Sequence, residues 1–202
     1  MYWILILKVF LVLIWLIKWR AVQLIVRRTR AERWSRPIIK RSGFFSNRFP
    51  GLMEWGLVIL ILSGFFDFGT IRIQRFADVV LRVSGGFIFT AGAILKVSAV
   101  KALHTNHSFQ VLFRRGQQLI IQGPYRYVRH PEYLADILLY AGLALSLLSY
   151  PAFGFTVLIY APLLSYRAGI EERLLISAWG AAYRKYQRQV VGKLWPFGLK
   201  SG

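Results

Sequence analysis

The residues best suited to chemistry lie in two short motifs in the second half of the chain. The first, GPYRYVRHPEY, occupies residues 123–133 and sets Tyr125, His130 and Tyr133 close together. A histidine directly at a helix start can belong to a functional site or can cap the helix, and both explanations stay open. Glycine before proline turns the chain, and a proline directly after His130 suits the first turn of a helix. The motif predicts a turn into a helix, with its polar side chains gathered at the helix start.

The second motif, RAGIEERLL, places Arg167 one helical turn before the neighbouring acids Glu171 and Glu172. An arginine can hold a carboxylate or phosphate through two parallel hydrogen bonds, and a carboxylate can bind a cation or accept a proton. Two explanations stay open for the acids. They form a ligand site, which we favour, or they begin a helix, where acids interact well with the helix dipole.

The histidines do not predict a metal site. His104 and His107 are three residues apart, but no convincing third ligand accompanies them. The chain has no cysteine, so thiolate metal sites, disulfides and cysteine nucleophiles are excluded. We therefore expect chemistry without a metal.

The composition places both motifs in a membrane protein. Of the 202 residues 56% are hydrophobic and 17% are charged, whereas a soluble domain has about 25% charged residues. A separate soluble domain needs about 100–200 residues, so any chemistry must be built on or beside the spans. The basic residues that give the net charge of +19 are distributed according to the predicted membrane topology. They accompany no recognisable nucleic-acid fold, so no nucleic-acid partner is predicted.

Hydropathy predicts an all-α, polytopic membrane helix bundle with about five transmembrane helices. The predicted spans are 2–19, 52–66, 79–100, 133–148 and 152–166. Gly85, Gly86 and Gly92 in the third span predict close helix contacts. After Arg167 an amphipathic C-terminal helix is predicted. Its apolar face is Leu175, Trp179, Tyr183, Tyr186 and Val190.

The distribution of cations predicts the orientation in the membrane. Segments 20–50, 101–132 and 167–202 hold 21 of the 27 lysines and arginines and alternate with the predicted spans. Lysine and arginine are enriched in cytoplasmic loops. We therefore predict an outside N-terminus and a cytoplasmic C-terminus, with both motifs on the cytoplasmic side.

Together, GPYRYVRHPEY, RAGIEERLL and the following GAAYRKYQRQV resemble the isoprenylcysteine carboxyl methyltransferase and phospholipid methyltransferase families. These are integral-membrane enzymes that use S-adenosylmethionine. The resemblance runs from about His104 to Phe197, and the first motif is its most specific part. It implies a cytoplasmic cofactor site, release of S-adenosylhomocysteine, and a lipophilic or prenylated acceptor that arrives from the membrane lipids.

The resemblance also implies roles for individual residues. In isoprenylcysteine methyltransferases the cofactor is held by a glutamine, a short segment, the tyrosine of the turn, the HPxY group and one of the paired acids. The matching positions are Gln110, Gln117, Gln118, Leu119, Ile120, Tyr125, His130, Pro131, Glu132, Tyr133 and Glu171. Arg167 matches an arginine associated with the acceptor's carboxylate, so Arg167 and Glu171 are the predicted catalytic residues. The family usually has glycine where this chain has Ala135, whose methyl group could narrow the cofactor or lipid passage.

We predict a membrane methyltransferase that acts on the carboxylate of an isoprenylcysteine-like or other lipid-linked acceptor. N-methylation of a phospholipid amine is the alternative among enzymes, with Glu171 or Glu172 as general base. A non-enzymatic membrane protein, whose basic loops bind anionic lipid or a partner, is the alternative of another class. Residues 1–100 are predicted to form three N-terminal spans with a basic loop at 20–50, and residues 101–202 the methyltransferase core, in one structural unit.

Overall fold

The computed structural model describes residues 2–29, 38–41, 44–66, 75–104, 112–114, 116 and 118–195. Its helices are α1 (Tyr2–Arg28), α2 (Phe44–Phe65), α3 (Arg75–Leu103), α4 (Pro131–Leu147), α5 (Tyr150–Trp179) and α6 (Ala181–Gln189). The predicted all-α membrane bundle is confirmed. Three helices, α1, α3 and α5, are long and apolar enough to cross a membrane; α2 and α4 are shorter apolar helices.

A short antiparallel ribbon accompanies the helices. Strand β1 (Ile38–Arg41) pairs with β2 (Leu112–Arg114), so that Ile38 lies opposite Arg114 and Arg41 opposite Leu112. Both strands fall in segments where the sequence predicts only basic loops. Three or four residues are too few for a hydropathy pattern to reveal a strand.

Helices α3 and α4 form the most closely packed pair of the bundle. A Cβ atom at Gly142 would lie 2.4 Å from the backbone nitrogen of Phe89, and one at Gly92 would lie 2.8 Å from that of Leu139. Such distances leave room only for hydrogen, so the glycines allow the two backbones to touch. The close contact predicted at Gly85, Gly86 and Gly92 is present at Gly85 and Gly92, whereas a Cβ at Gly86 would have only ordinary contacts, the nearest at 3.7 Å to Leu7.

This packing changes the expectation for Ala135. Its side chain is fully buried, and its carbonyl oxygen lies 3.1 Å from the Cβ position of Gly92 on α3. Ala135 thus faces the α3–α4 contact and does not line the cavity described below. The expected narrowing of a passage by its methyl group is wrong, because Ala135 is buried in the bundle and is not among the residues that line the cavity.

Helix α5 runs without interruption across the predicted boundary at Arg167. A π-helical segment, Thr156–Tyr160, joins Tyr150–Phe155 to Ala161–Trp179. Glu171 and Glu172 therefore lie far inside a continuous helix. The alternative that they begin a helix is wrong.

The amphipathic C-terminal helix is present as α6, but a break precedes it. Gly180 ends α5 with φ of 54°, a left-handed conformation that glycine adopts readily. Tyr183, Tyr186 and Val190 of the α6 region still pack with Trp179 and Leu175 of α5 in one cluster. The predicted apolar face is thus real and is shared by two helices.

Candidate active site

The C-terminal segment 190–195 folds back onto the residues that begin α4. The backbone N–H groups of Arg129 and His130 donate to the carbonyl oxygens of Gly192 and Lys193, at 2.9 and 3.0 Å. The hydroxyl of Tyr186 donates to the carbonyl oxygen of Tyr125 at 2.7 Å. These bonds fix the GPYRYVRHPEY motif against the end of the chain.

His130 lies between the two acids of the second motif. Its Nδ1 is 3.6 Å from Oε2 of Glu171, and its Nε2 is 3.3 Å from Oε1 of Glu172. The imidazole also stacks on the ring of Tyr133, with centroids 5.5 Å apart and planes nearly parallel. The two motifs, about forty residues apart in the chain, thus meet in one cluster.

The two neighbouring acids have different surroundings. Glu172 accepts hydrogen bonds from Nε of Arg129 at 2.7 Å and from the amide of Gln187 at 3.2 Å, and its side chain is 13% exposed. Glu171 accepts a hydrogen bond from the hydroxyl of Tyr133 at 2.8 Å, and its side chain is 31% exposed. Glu171 is therefore the acid available to a ligand, whereas Glu172 joins structural elements.

Arg129 connects the cluster to the C-terminal segment. While Nε of its guanidinium binds Glu172, its NH1 donates to the carbonyl oxygens of Val190 and Val191 at 2.7 and 2.8 Å. The sequence placed Arg129 among the polar residues that could converge on this face, with the cytoplasmic excess of cations as the alternative explanation. It gave no sign of the contacts between Arg129 and the C-terminal segment.

The charge of His130 follows from these contacts. Burial acts to lower the pKa of His130, but its interactions with Glu171 and Glu172 outweigh burial and raise this pKa above its ordinary value. Burial also raises the pKa of Tyr125, and the nearby charge of Glu132 acts in the same direction. The site thus favours a positively charged His130 and a protonated Tyr125.

A cavity of about 960 Å³ opens beside this cluster. Nine of the predicted site residues line it: Gln118, Leu119, Ile120, Tyr125, His130, Glu132, Tyr133, Arg167 and Glu171. Pro131 does not line the cavity; it is buried in the first turn of α4. Gln110 and Gln117, together with His107, lie outside the described residues. Glu172 is also absent from the cavity lining, in agreement with its bonded surroundings.

Arg167 lies on the same wall as Glu171, one turn earlier on α5. Its guanidinium carbon is 5.5 Å from the centre of the Tyr133 ring, a cation–π contact. The rest of the wall is largely apolar and comes from both halves of the chain, with Trp15 of α1, Phe65 of α2 and Phe89 of α3 among its residues. The cavity therefore has a polar end next to a long apolar wall.

A second group of charged residues also lines the cavity. Nζ of Lys96 on α3 is 2.8 Å from Oδ2 of Asp136 and 3.0 Å from Oε1 of Glu132, both on α4. We call Lys96, Glu132 and Asp136 the charged triad. Sequence reasoning missed Lys96 and Asp136, although a lysine within an apolar span and two acids at i and i+4 spacing were a usable signal.

Among the described residues, no group of three or more histidines and acids is arranged to hold a metal ion.

The bundle and its cavity define an integral-membrane protein with a charged site next to an apolar space. Residues 80–182 match the family model for phospholipid methyltransferases, and this match covers half of the chain. The chain therefore belongs to the phospholipid methyltransferase family. Membrane methyltransferases of this family generally depend on S-adenosylmethionine.

The chain is also similar to a reductase. Over 85 residues it is 34% identical to the Delta(14)-sterol reductase of Mus musculus. The aligned part covers 41% of this chain and 20% of the reductase, so the chain spans about a fifth of the length of that relative.

Proposed function

We propose that this protein transfers a methyl group from S-adenosylmethionine to the carboxylate of an isoprenylcysteine-like or other lipid-linked acceptor. The observation that carries the proposal is the shared cavity wall of Arg167, Glu171 and Tyr133, continuous with an apolar wall of several helices. The family match at residues 80–182 supports methyl transfer.

The residues present fit the cofactor. S-adenosylmethionine carries an ammonium, a carboxylate, ribose hydroxyls and a flat base. The cavity offers the partly exposed carboxylate of Glu171 for the ammonium or hydroxyls, and aromatic surfaces at Tyr183 and Trp179. When bound, the cofactor supplies an electrophilic methyl group that passes to the acceptor as the carbon–sulfur bond breaks.

In this reaction the protein binds and orients the acceptor and the cofactor, and it excludes water from the reacting atoms. Arg167 holds the acceptor's carboxylate by a charge-assisted contact and thereby directs one oxygen toward the methyl group. Tyr133 supports both partners, because its hydroxyl binds Glu171 and its ring faces Arg167. The apolar wall holds the lipid part of the acceptor and keeps bulk water away.

The orientation is part of the proposal. The cation-rich segments put the cluster on the cytoplasmic side, where a soluble cofactor is supplied. One contact supports a shared side for the two predicted outer segments. The end of α2 and the turn before α5 lie together, because a Cβ at Gly64 would be 2.7 Å from Cβ of Ser149.

A second candidate is methylation of a phospholipid amine. The name of the matching family favours it, and the carboxylates of Glu132 and Asp136 in the cavity offer partners for an ammonium group. Such an acceptor must lose a proton before it attacks, so a cavity carboxylate would act as general base.

Methylation assays with labelled S-adenosylmethionine separate the candidates. The full chain in lipid nanodiscs is supplied with a prenylcysteine or with phosphatidylethanolamine, and the labelled lipid product is treated with mild base. We expect label that base releases as methanol, since a methyl ester hydrolyses and an N-methyl group does not. Base-stable label would overturn the carboxylate assignment in favour of the amine. No transfer to either lipid, with an active related enzyme as the assay control, would favour a non-enzymatic role.

A further inference from the structure

The C-terminal segment 190–195 is bonded to both helices that carry the site, although none of its residues lines the cavity. At the start of α4, its carbonyl oxygens accept hydrogen bonds from the backbone N–H groups of Arg129 and His130. On the α5 side, Nζ of Lys193 donates to the carbonyl oxygen of Ser165 at 2.8 Å. The segment therefore joins α4 to α5 from outside the cavity.

A buried apolar side chain adds to this connection. Leu194 is 5% exposed and packs in one cluster with Ile137 of α4 and with Leu164 and Ala168 of α5. Tyr133, which lines the cavity, packs against the same cluster. The hydrophobic effect has no direction, so this burial keeps the segment in place while hydrogen bonds decide its position along the helices.

The amine of Lys193 lies against a glycine of α5. A Cβ atom at Gly169 would be 3.3 Å from Nζ of Lys193. Gly169 is four residues after Ser165, so its backbone N–H is the helical partner of the carbonyl oxygen that Lys193 also binds. Arg167 stands midway between these two residues in the chain. Lys193 therefore holds the turn of α5 that carries Arg167.

The contacts at the polar end of the cavity depend on the distance between α4 and α5. The hydroxyl of Tyr133 is 2.8 Å from Oε2 of Glu171, and its ring centre is 5.5 Å from the guanidinium carbon of Arg167. At the start of α4, His130 faces both Glu171 and Glu172 of α5. The cavity occupies one side of these contacts, so packing on the other side sets the distance between the helices.

We propose that Lys193 is a positioning residue, which holds the turn of α5 that carries Arg167 at a fixed distance from the start of α4. It acts through the C-terminal segment and does not line the cavity in which the reaction takes place. Its role in turnover rests on the proposed function, whereas its effect on the distance between the helices does not. A displacement of about 1 Å can lower a reaction rate by about a hundredfold, so a fixed distance favours methyl transfer.

The pKa of His130 reports the distance between the two helices without any turnover. Burial lowers this pKa, but the carboxylates of Glu171 and Glu172 on α5 outweigh burial and raise it above the ordinary value of 6.5. Arg129 and Tyr133 complete the surroundings of the imidazole. Nuclear magnetic resonance of the full chain in lipid nanodiscs, with isotope-labelled histidine, measures the pKa directly.

Lys193→Met removes the charged donor and keeps a side chain of similar length. We expect the pKa of His130 to fall toward 6.5 in this variant, because the carboxylates of α5 move away from the start of α4. Lys193→Gln, whose side chain is shorter, should have the same effect, whereas Lys193→Arg keeps a charged donor and should retain the raised pKa. Lys185→Met, at an exposed position of α6, is the matched control and should retain it too. An unchanged pKa of His130 in Lys193→Met or Lys193→Gln overturns the inference.

Methylation kinetics with a prenylcysteine separate positioning from folding. For Lys193→Met we expect kcat to fall by about tenfold or more, because the reacting groups are misaligned. KM for the acceptor and the affinity for S-adenosylhomocysteine should change by less than about threefold, since Arg167 and Glu171 are still present. Lys193→Arg should restore kcat. Parallel losses of kcat, S-adenosylhomocysteine affinity and Tm would show a purely structural role and overturn the inference.

The result is separable from the proposed function. A lowered pKa of His130 in Lys193→Met, in a protein that transfers no methyl group, would support the positioning by Lys193 and overturn the methyltransferase proposal. Methyl transfer by the unaltered protein with an unchanged kcat in Lys193→Met would overturn the positioning role alone.

Discussion

The adjacent residues Glu171 and Glu172 have different roles in the cluster because their surroundings differ. Glu172 receives hydrogen bonds from Arg129 and Gln187 and is turned away from the cavity. Glu171 faces the cavity and accepts a hydrogen bond of 2.8 Å from the Tyr133 hydroxyl. The sequence shows only two acids side by side. Which of them is accessible depends on Arg129, whose partners lie more than forty residues away in the chain.

Replacement of Arg167 should impair turnover of the acceptor more than binding of the cofactor. Loss of a charge-assisted hydrogen bond costs about 1.5–3 kcal/mol, so Arg167→Ala should lower kcat/KM for the acceptor by about tenfold to a hundredfold. Binding of S-adenosylhomocysteine should change by less than about threefold. Arg173→Ala, on an exposed position of the same helix, is the matched control and should leave both quantities unchanged. Equal kcat/KM in the two variants would show that Arg167 does not hold the acceptor.

The raised pKa of His130 makes stability depend on pH. The folded protein favours the imidazolium because Glu171 and Glu172 face it; Arg129 and Tyr133 complete its surroundings. This contribution is fully present below the ordinary histidine pKa of 6.5 and is lost as the pH rises through the raised value. Tm should therefore fall as the pH rises from 6.5 through this raised pKa.

Histidine variants isolate this effect. His130→Gln should flatten the pH dependence of Tm, whereas His104→Gln, at an exposed position, should keep the slope of the unaltered protein. A Tm that rises with pH in this range, or an identical slope in His130→Gln, would contradict the assignment of charge to His130.

At the scale of elements, the sequence predicted which segments are helical better than it predicted their ends. The apolar runs correctly indicated the helices, and Leu175, Trp179 and Tyr183 do share a face. Arg167, however, suggested a boundary inside what is one helix, because a cation usually marks the end of a span. In the structure Arg167 and Glu171 face a cavity, where charged side chains are tolerated. The helix can therefore continue through them.

Other elements left no readable signal. The π-helical segment Thr156–Tyr160 has an ordinary apolar sequence, and such segments depend on tertiary packing. The strands β1 and β2 pair across more than seventy residues, a distance at which hydropathy patterns carry no information. Gly180 was visible in the sequence, but only its positive φ identifies it as a helix end.

The α3–α4 contact predicts a sharp difference between two helical glycines. A Cβ at Gly142 would meet the backbone nitrogen of Phe89 at 2.4 Å, whereas one at Gly154 meets nothing within 4 Å. Gly142→Ala should therefore lower the free energy of unfolding by about 1–3 kcal/mol through overpacking. Gly154→Ala should be neutral or raise stability by up to about 1 kcal/mol, since alanine favours the helix.

Thermal unfolding in the same detergent compares the two variants. A lower Tm for Gly142→Ala than for Gly154→Ala is the expected order. Equal Tm values would mean that the two helix backbones are farther apart than described.

At the scale of the whole molecule, acidic and basic side chains among the described residues are distributed differently between the interior of the protein and its surface. The acids of the cluster and the triad point to internal partners, whereas Arg173, Arg184, Lys185 and Arg188 are exposed. An internal site that is close to electrical balance thus lies under a cationic surface. This arrangement suits a cytoplasmic face that meets anionic headgroups, with about 1 kcal/mol for each cation near the membrane surface.

Cysteine labelling tests the proposed orientation. Because the chain has no cysteine, a single one introduced by Lys185→Cys or Phe66→Cys is the only target of a membrane-impermeant thiol reagent. We expect Phe66→Cys, at an exposed position after α2, to react in intact cells. Lys185→Cys should react only after permeabilisation. The reverse pattern would place the cluster on the outer side and contradict the topology.

We propose that the cluster of His130, Tyr133 and Glu171 binds S-adenosylmethionine. Calorimetric titration of the full chain in nanodiscs with S-adenosylhomocysteine, the product, measures this directly. We predict saturable binding that Glu171→Gln weakens by about tenfold or more, because the lost charge faces the cavity, while Arg173→Ala leaves it unchanged. An unaltered protein that does not bind, or a Glu171→Gln variant that binds with unchanged affinity, would contradict the claim.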